Sequence, residues 1–151
     1  MSPVAGEPAP EFTLPSTSGS DVTLVQFRGN SNVLLAFFPL AFTSTCAAEL
    51  GSFTEDVTRF ESANAVVLPI SVDSIPTLRE FKAKEELAVD MLSDFKREVC
   101  RAYGTLHEEK FFSRRAYFLI DTQGVLRWSH VEAELGHRRD DDELLAQIAA
   151  L

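Results

Sequence analysis

A cysteine flanked by residues that can activate it is the first chemical feature of the sequence. Cys46 stands three positions after Thr43 and three before Glu49, and Pro39 stands four positions before Thr43. Thr43 is a good N-cap residue, which predicts that Cys46 lies in the first turn of a helix and that the Thr43 hydroxyl accepts a hydrogen bond from the Cys46 backbone N–H. Thiols at helix N-termini can have pKa values of about 3.5–7.5, because unpaired amides and the helix dipole favour the anion. The spacing therefore predicts a nucleophile at neutral pH.

The residues around Cys46 predict a strand that leads into this helix. The unbroken apolar run Val33–Phe38 is typical of a strand buried on both faces of a sheet, and Pro39 ends it because proline cannot donate to a ladder. Apolar residues then recur at helical spacing: Leu50, Phe53, Val57 and Phe60. A second apolar run, Ala65–Val72, completes a βαβ unit, so the two strands are expected to be parallel.

The remaining elements predict an α/β fold of the thioredoxin-like type. We expect an N-terminal β-hairpin over 12–14 and 22–27, a helix over 73–87 that is capped by Asp73 or Ser74, a short strand over 91–92 and a short helix over 96–103. A loop over 105–113, a second β-hairpin over 116–120 and 125–131, and a terminal helix over 140–151 follow. This order gives a central mixed sheet flanked by helices, with the first hairpin added. One domain over residues 1–151 is expected from the length.

This topology has a consequence for the cysteine. The strand that begins at Ala116 should run antiparallel to the central strand, so its start should lie beside the central strand's end. Arg114 and Arg115 should then approach Cys46. Arg115 has the better spacing to be the cation, and Arg114 is expected at the surface.

Composition excludes several classes of function. A net charge of −9 argues against nucleic acid or an anionic membrane as a partner. The chain has no apolar run of membrane-spanning length and no signal-peptide pattern at its start, which predicts a cytoplasmic protein with reduced thiols. Cys46 and Cys100 are the two cysteines, and they match neither a disulfide scaffold nor a metal site.

Several of these residues together resemble the peroxiredoxin family. The family's signature of proline, three residues, threonine or serine, two residues and cysteine is present as Pro39, Thr43 and Cys46, followed by the family's frequent glutamate at Glu49. Its distal arginine, in the pattern R-x-x-F, matches Arg115. The opening segment also resembles the family, and the sequence is most similar to the one-cysteine AhpE-like branch and its relatives, the bacterioferritin comigratory proteins.

The resemblance implies a thiol-dependent peroxidase. Cys46 would attack hydrogen peroxide, an organic hydroperoxide or peroxynitrite and become a sulfenic acid, which thioredoxin, glutaredoxin or a low-molecular-weight thiol would reduce. Arg115 and Thr43 would stabilise the thiolate and hold the peroxide, Glu49 would hold the Arg115 guanidinium, and Pro39 would shield the sulfur. No metal, haem or flavin is implied.

The sequence leaves alternatives for the role of Cys100 and for the function. Cys100 is either a resolving cysteine or a packed core residue beside Val99 and Tyr103. A thiol–disulfide oxidoreductase on the same fold is disfavoured because Thr43 stands where Cys-x-x-Cys would need a cysteine. A peroxide sensor that signals through sulfenylated Cys46 is the other alternative. Phe42 and the Phe111–Phe112 segment are either contacts of a homodimer or ordinary loop packing.

Overall fold

A five-stranded mixed sheet forms the centre of the protein. The structure is a computed structural model that describes residues 2–151. Short strands β1 and β2 pair at the N-terminus, short strands β6 and β7 pair near residue 110, and the other five strands form the central sheet in the order β5-β4-β3-β8-β9. The strands are β1 Thr13–Leu14, β2 Val22–Thr23, β3 Asn32–Phe37, β4 Ala65–Ser71, β5 Leu92–Ser93, β6 Leu106–His107, β7 Phe112–Ser113, β8 Ala116–Ile120 and β9 Leu126–Val131.

Five α-helices accompany these strands in the described part of the chain. They are α1 Ser44–Glu55, α2 Val57–Ser62, α3 Ile75–Lys84, α4 Glu98–Ala102 and α5 Asp141–Ala149. Two helices begin with a side-chain cap, and the first of these caps was one of the two predicted alternatives. Ser74 accepts a hydrogen bond from the Thr77 backbone N–H at the start of α3, and Asp140 accepts one from Glu143 at the start of α5. The thioredoxin-like α/β fold expected from the sequence is confirmed.

The pairing of β3 brings two distant parts of the chain together. β3 is parallel to β4 and antiparallel to β8, as predicted. Phe37, the last residue of β3, lies opposite Ala116, the first residue of β8. The segment that enters β8 therefore lies beside the segment that leaves β3 for α1.

Side chains of β3 alternate between two hydrophobic cores, one on each face of the sheet. Leu34 and Ala36 pack in one core with α1, α2, α3 and α5, whereas Leu35 and Phe37 pack in the other with α4 and the N-terminal hairpin. A strand buried on both faces is apolar at every position, which explains the unbroken apolar run. The two cysteines lie in different cores, Cys46 with α1 and Cys100 with α4.

Three expectations about local structure are wrong. The strand predicted over 22–27 ends at Thr23 and continues as a 3₁₀ helix, Leu24–Phe27, because the Gln26 side chain accepts the Thr23 backbone N–H at 2.8 Å. The helix predicted to run from Cys46 through Phe60 breaks at Asp56, whose backbone leaves the helical conformation and whose N–H closes the last turn of α1 on the Ser52 carbonyl; α2 begins at the next residue.

The third concerns residues 105–113, which were expected to be a loop. They form the small hairpin of β6 and β7, joined additionally by a 2.8 Å hydrogen bond between the Ser113 and Thr105 hydroxyls. Strands of two residues are too short to show a period in the sequence. The other predicted strands and helices are present with shifts of a few residues at their ends.

Candidate active site

Cys46 lies in the first turn of α1, as predicted. It is the third residue of the helix and is fully buried against the core that contains Phe53 and Tyr117. Cys46 and Cys100 are both free thiols. The strand β3, the loop 38–43 and the helix start together place the sulfur beside the beginning of β8.

Arg115 meets Cys46 from β8. Its Nη2 lies 3.1 Å from the Cys46 Sγ, and the residue is only 1% exposed. The antiparallel pairing of β3 and β8 produces this approach, since Arg115 immediately precedes the first residue of β8. A guanidinium within hydrogen-bond distance stabilises an ionised sulfur over a thiol.

Glu49 holds the same guanidinium. One helical turn after Cys46, its Oε1 accepts a hydrogen bond of 2.7 Å from Arg115 Nη1. Both side chains of this ion pair are buried, so neither charge is screened by water. The predicted contact between Glu49 and Arg115 is therefore present, and it fixes one edge of the guanidinium while another N–H points at sulfur.

The buried charges shift the pKa values of both partners. Burial raises the pKa of the Glu49 carboxyl, and the charge of Arg115 and a hydrogen bond from Tyr117 act in the opposite direction. Burial lowers the pKa of Arg115, but the negative charges of Glu49 and Cys46 outweigh it and raise that pKa above its usual value. Arg115 is consequently a permanent cation in the site.

One further N–H of Arg115 is unpaired. The Nε atom is buried and has no hydrogen-bond partner within residues 2–151. A buried donor without a partner is costly. An oxygen of a small bound molecule can satisfy it.

The hydrogen bond expected for Thr43 is absent, and this prediction is wrong in its detail. Thr43 does occupy the N-cap of α1, with extended backbone angles, but its side chain makes no capping hydrogen bond. Instead the hydroxyl donates to the Leu40 carbonyl oxygen at 2.9 Å. The preceding residue, Phe42, has a left-handed φ of 66°, and this tight turn brings Leu40 within reach of Thr43. Thr43 is exposed, so its oxygen can still accept a hydrogen bond from another molecule.

The other two predicted residues lie near the same loop and strand. Pro39 is buried at the end of β3, in the loop that leads to Thr43. Arg114 is half-buried and lines a separate cleft with Lys110 and Glu134. The direct contacts of Arg115 distinguish it from its neighbour, as the spacing predicted.

Cys100 lies on the opposite side of the sheet from Cys46. It belongs to the core with α4, whereas Cys46 belongs to the core with α1. Its backbone N–H donates to Asp94 Oδ2 at 2.7 Å, and burial together with Asp94 raises the pKa of its thiol to about 12. A disulfide needs Cα atoms within about 7 Å, so a bond to Cys46 requires large unfolding. The geometry favours the packing role among the two alternatives for Cys100.

Tyr117 is the site residue that the sequence did not indicate. It lies two positions after Arg115 on β8, and its hydroxyl donates a short hydrogen bond to Glu49 Oε2. The backbone N–H of Arg139 donates to the Tyr117 oxygen at 3.0 Å. Tyr117 reads as an ordinary apolar strand residue in the sequence, and only the pairing of distant segments shows its contact.

Comparison with known proteins agrees with this arrangement. The model of the AhpC/TSA family matches residues 5–129. Alkyl hydroperoxide reductase E of Mycobacterium tuberculosis is 36% identical over 148 residues, which cover 97% of this chain and 96% of that protein. The chain belongs to the AhpC/TSA family of peroxiredoxins. It is accordingly a thiol-dependent peroxidase, an oxidoreductase.

Two more relatives show how far the peroxiredoxin likeness extends. A putative peroxiredoxin bcp of Coxiella burnetii is 35% identical over 145 residues, covering 91% of this chain and 95% of that one. The reduced 2-Cys peroxiredoxin of Plasmodium vivax superimposes with a TM-score of 0.91 at 32% identity, covering 98% of this chain and 82% of that chain. The likeness therefore includes both the N-terminal hairpin and the terminal helix.

Within 2–151, no group of three or more histidine, cysteine or acidic side chains is arranged to hold a metal ion. Over the same residues, no helix combines the length and apolar character needed to cross a membrane.

Proposed function

We propose that Cys46 is the residue that reduces the peroxide. The observation that carries this assignment is the contact between the Cys46 sulfur and Arg115 Nη2, with Arg115 held in turn by Glu49. A sulfur that is fully buried beside a cation and at a helix start has the surroundings of a reactive thiolate rather than of inert core filling. Cys100, with a raised pKa on the other face of the sheet, has the opposite surroundings.

The reaction we propose transfers one oxygen atom to sulfur. The Cys46 thiolate attacks the terminal oxygen of ROOH, the S–O bond forms, and the O–O bond breaks with both of its electrons going to the departing oxygen. That oxygen takes up a proton and leaves as ROH, which is water when the substrate is hydrogen peroxide. Cys46 is left as a sulfenic acid, oxidised by two electrons.

Arg115 and Thr43 are the proposed partners of the peroxide. The unpaired Arg115 Nε–H and the N–H aimed at Cys46 can donate to the two peroxide oxygens, and this stabilises the charge that develops on the departing one. Thr43, whose hydroxyl proton goes to Leu40, has a free lone pair to accept the peroxide hydrogen. Because Cys46 is fully buried, the loop of Pro39 to Thr43 has to shift locally to admit the substrate. Pro39 shields the sulfur from water in this scheme.

A thiol from another molecule completes the cycle. The sulfenic acid condenses with one thiol to give a mixed disulfide and water, and a second thiol releases reduced Cys46. We propose an external reductant, thioredoxin, glutaredoxin or a low-molecular-weight thiol, because Cys100 lies across the sheet from Cys46. The substrates proposed are hydrogen peroxide, organic hydroperoxides and peroxynitrite, in keeping with the name of the mycobacterial relative, alkyl hydroperoxide reductase E. Two cysteines that match no disulfide scaffold support a cytoplasmic location.

A homodimer through the face around the active-site loop is part of the proposal. Phe42 is 48% exposed and Phe111 is 47% exposed, while Phe112 is half-buried. Lys84 lies over the Phe42 ring and Arg97 lies over the Phe111 ring, so each exposed aromatic ring has a cation beside it. Exposed aromatic residues of this kind are enriched at protein interfaces.

Peroxide consumption by matched variants tests the assignment. Wild type, Cys46→Ser and Cys100→Ser are supplied with hydrogen peroxide or an organic hydroperoxide and with each candidate reductant in turn. Wild type and Cys100→Ser should turn over, and Cys46→Ser should not. Retained turnover in Cys46→Ser would refute the assignment. Stoichiometric oxidation of Cys46 without recycling by any thiol would favour the sensor instead.

A further inference from the structure

The second oxygen of Glu49 is held by a residue outside the family's signature. Glu49 Oε1 accepts from Arg115 at 2.7 Å, and Oε2 accepts from the Tyr117 hydroxyl. All three side chains are at most 1% exposed. The Tyr117 hydroxyl therefore gives the second oxygen of Glu49 a hydrogen-bond partner at a place that water does not reach.

The direction of the Tyr117 proton follows from its other neighbour. The Tyr117 oxygen accepts the backbone N–H of Arg139, which leaves the single hydroxyl proton to be donated to Glu49. Burial and the nearby charge of Glu49 raise the pKa of Tyr117, so the phenol stays protonated. Tyr117 is thus a permanent donor to Glu49.

A permanent donor favours one form of Glu49. The ionised carboxylate accepts a hydrogen bond on each oxygen, whereas the protonated acid would have to place its own hydrogen at one of them. Burial alone would neutralise Glu49, and its pKa is raised for that reason. Tyr117 opposes this effect together with Arg115.

We propose that Tyr117 is a positioning residue for the peroxidase reaction: its hydroxyl keeps Glu49 accepting on both oxygens, so that Arg115 stays aimed at Cys46 as the pH falls. This inference rests on the proposed role of Cys46. The protonated form of Glu49 attracts the guanidinium less strongly. Arg115 Nη2 already donates to the Leu135 carbonyl oxygen at 3.5 Å as well as to the sulfur, so a guanidinium released by Glu49 can shift toward Leu135 and away from Cys46. The tyrosine acts through Glu49 and Arg115 and does not touch the reacting atoms.

Other charged groups surround the same carboxylate and are unchanged by a substitution at Tyr117. Arg138, in the segment before α5, lowers the pKa of Glu49, and Glu49 in turn raises the pKa of Asp141 at the start of that helix. The charged or titratable groups that face Glu49 are thus Cys46 on its own helix, Arg115 just before β8, Tyr117 on β8, and Arg138 and Asp141 from the C-terminal segment.

Tyr117→Phe is the test, because it removes one oxygen and keeps the ring. We measure the rate of Cys46 oxidation by peroxide from pH 5 to pH 9 in single-turnover experiments. A hydrogen bond to a charged group changes an equilibrium by a factor of roughly 10 to 100. At pH 6 the variant should react about ten times more slowly than wild type, and at pH 9 the two rates should agree within about threefold. A loss that is equal at all pH values would show a merely structural role and overturn the proposal.

Two matched variants separate positioning from packing. Tyr103→Phe removes another fully buried tyrosine hydroxyl, which donates to the Pro10 carbonyl at 2.6 Å on the opposite face of the sheet. It should leave the shape of the pH profile unchanged. In a Glu49→Gln background there is no carboxylate to hold ionised, so adding Tyr117→Phe should cause no further pH-dependent loss. A further pH-dependent loss in that background would contradict the proposal.

A direct titration of Glu49 tests the inference independently of activity. In Cys46→Ser protein with carbon-13 in the glutamate carboxyl groups, the Glu49 signal is assigned by its loss in Glu49→Gln. Its titration midpoint should move to higher pH when Tyr117→Phe is added. An unchanged or lower midpoint overturns the inference whether or not wild type consumes peroxide. If Tyr117→Phe raises the midpoint but the wild-type protein consumes no peroxide, the proposed function is refuted. The stabilisation of ionised Glu49 by Tyr117 would then still be established.

Discussion

Replacing Arg115 by lysine should separate the charge of the site from its geometry. Arg115 makes two directed contacts, 2.7 Å to Glu49 Oε1 and 3.1 Å to Cys46 Sγ. The guanidinium reaches both because its N–H groups form a rigid planar fork. A lysine ammonium keeps the positive charge, but it is a single point and cannot occupy both positions. We expect it to stay with Glu49, whose charge is buried, and to leave the sulfur.

The size of the effect follows from the contact that is lost. A hydrogen bond to a charged group contributes about 1.5–3 kcal/mol. Because each ~1.4 kcal/mol changes a rate tenfold, losing this contact in the transition state should slow the oxidation of Cys46 by a factor of roughly 10 to 100. Stability should suffer less, since the charge opposite Glu49 remains. Arg115→Met, in contrast, leaves Glu49 buried without a counter-ion and should cost about 3–5 kcal/mol of the free energy of unfolding.

The assay is a rapid-quench measurement of the reduced protein with excess peroxide, in which the remaining Cys46 thiol is alkylated and quantified by peptide mass spectrometry. Arg114→Lys is the matched control, because it makes the same chemical change at the adjacent residue, which lines a separate cleft. It should react at the wild-type rate. The reasoning would be refuted if Arg115→Lys reacted within about threefold of wild type, or if Arg114→Lys lost as much as Arg115→Lys.

Three further predictions address other parts of the account. Thr43→Val should slow peroxide oxidation of Cys46 by roughly 10- to 100-fold because it removes the hydroxyl and keeps the side-chain shape, whereas Thr43→Ser should stay within about threefold of wild type in the same assay; a larger loss in Thr43→Ser than in Thr43→Val would show that shape matters and not the hydroxyl. Cys100→Ala should leave turnover unchanged and lower the free energy of unfolding by about 1 kcal/mol in urea titrations, and a loss of turnover with an external thiol would contradict its packing role. Burial and Asp56 raise the pKa of Asp141 to about 7 from 3.8, so the folded state binds the extra proton between these values and stability falls as pH rises through that window. Asp141→Asn should therefore raise the free energy of unfolding by about 1–2 kcal/mol at pH 8, after a discount for partial solvent screening, and should change it little at pH 4. A gain that is equal at both pH values would refute the raised pKa of Asp141.

The central features of the fold could be predicted because they depend on strong, local patterns. Apolar runs without alternation indicated β3 and β4, and the antiparallel return of β8 placed Arg115 beside Cys46 before any distance was known. Residue type limited the cap of α3 to Asp73 or Ser74, and the structure selects Ser74. These predictions are confirmed because burial and turn chemistry act in the same direction at each position.

Other features depend on which of two competing local hydrogen bonds forms, and the sequence does not show the choice. Thr43 could cap the helix through its hydroxyl or turn that hydroxyl toward Leu40, and the left-handed conformation of Phe42 decides for Leu40. Gln26 could continue β2 but accepts the Thr23 N–H and begins a 3₁₀ turn. In both cases two local hydrogen bonds of similar strength were available, and periodicity cannot rank them.

The contact of Tyr117 with Glu49 is a different kind of omission. The two residues are 68 positions apart, and a tyrosine in an apolar strand carries no sign that its hydroxyl meets a buried carboxylate. The predicted pairing of β8 with β3 could have indicated this contact. The pairing of β8 with β9 continues to Arg115, whose carbonyl accepts the Glu132 backbone N–H, and residues two positions apart in an extended segment share a face. Tyr117 must therefore lie on the same side as Arg115.

Oxidation of the reduced protein by one equivalent of hydrogen peroxide tests the central claim most directly. Intact and peptide mass spectrometry with a sulfenic-acid trapping reagent locates the oxygen within the first turnover. The account predicts that the trapped adduct lies on Cys46, that the Cys100 peptide is unmodified, and that Arg115→Lys forms the adduct more slowly at the same position. An adduct on Cys100, or peroxide consumption at the wild-type rate by Cys46→Ser, would contradict it.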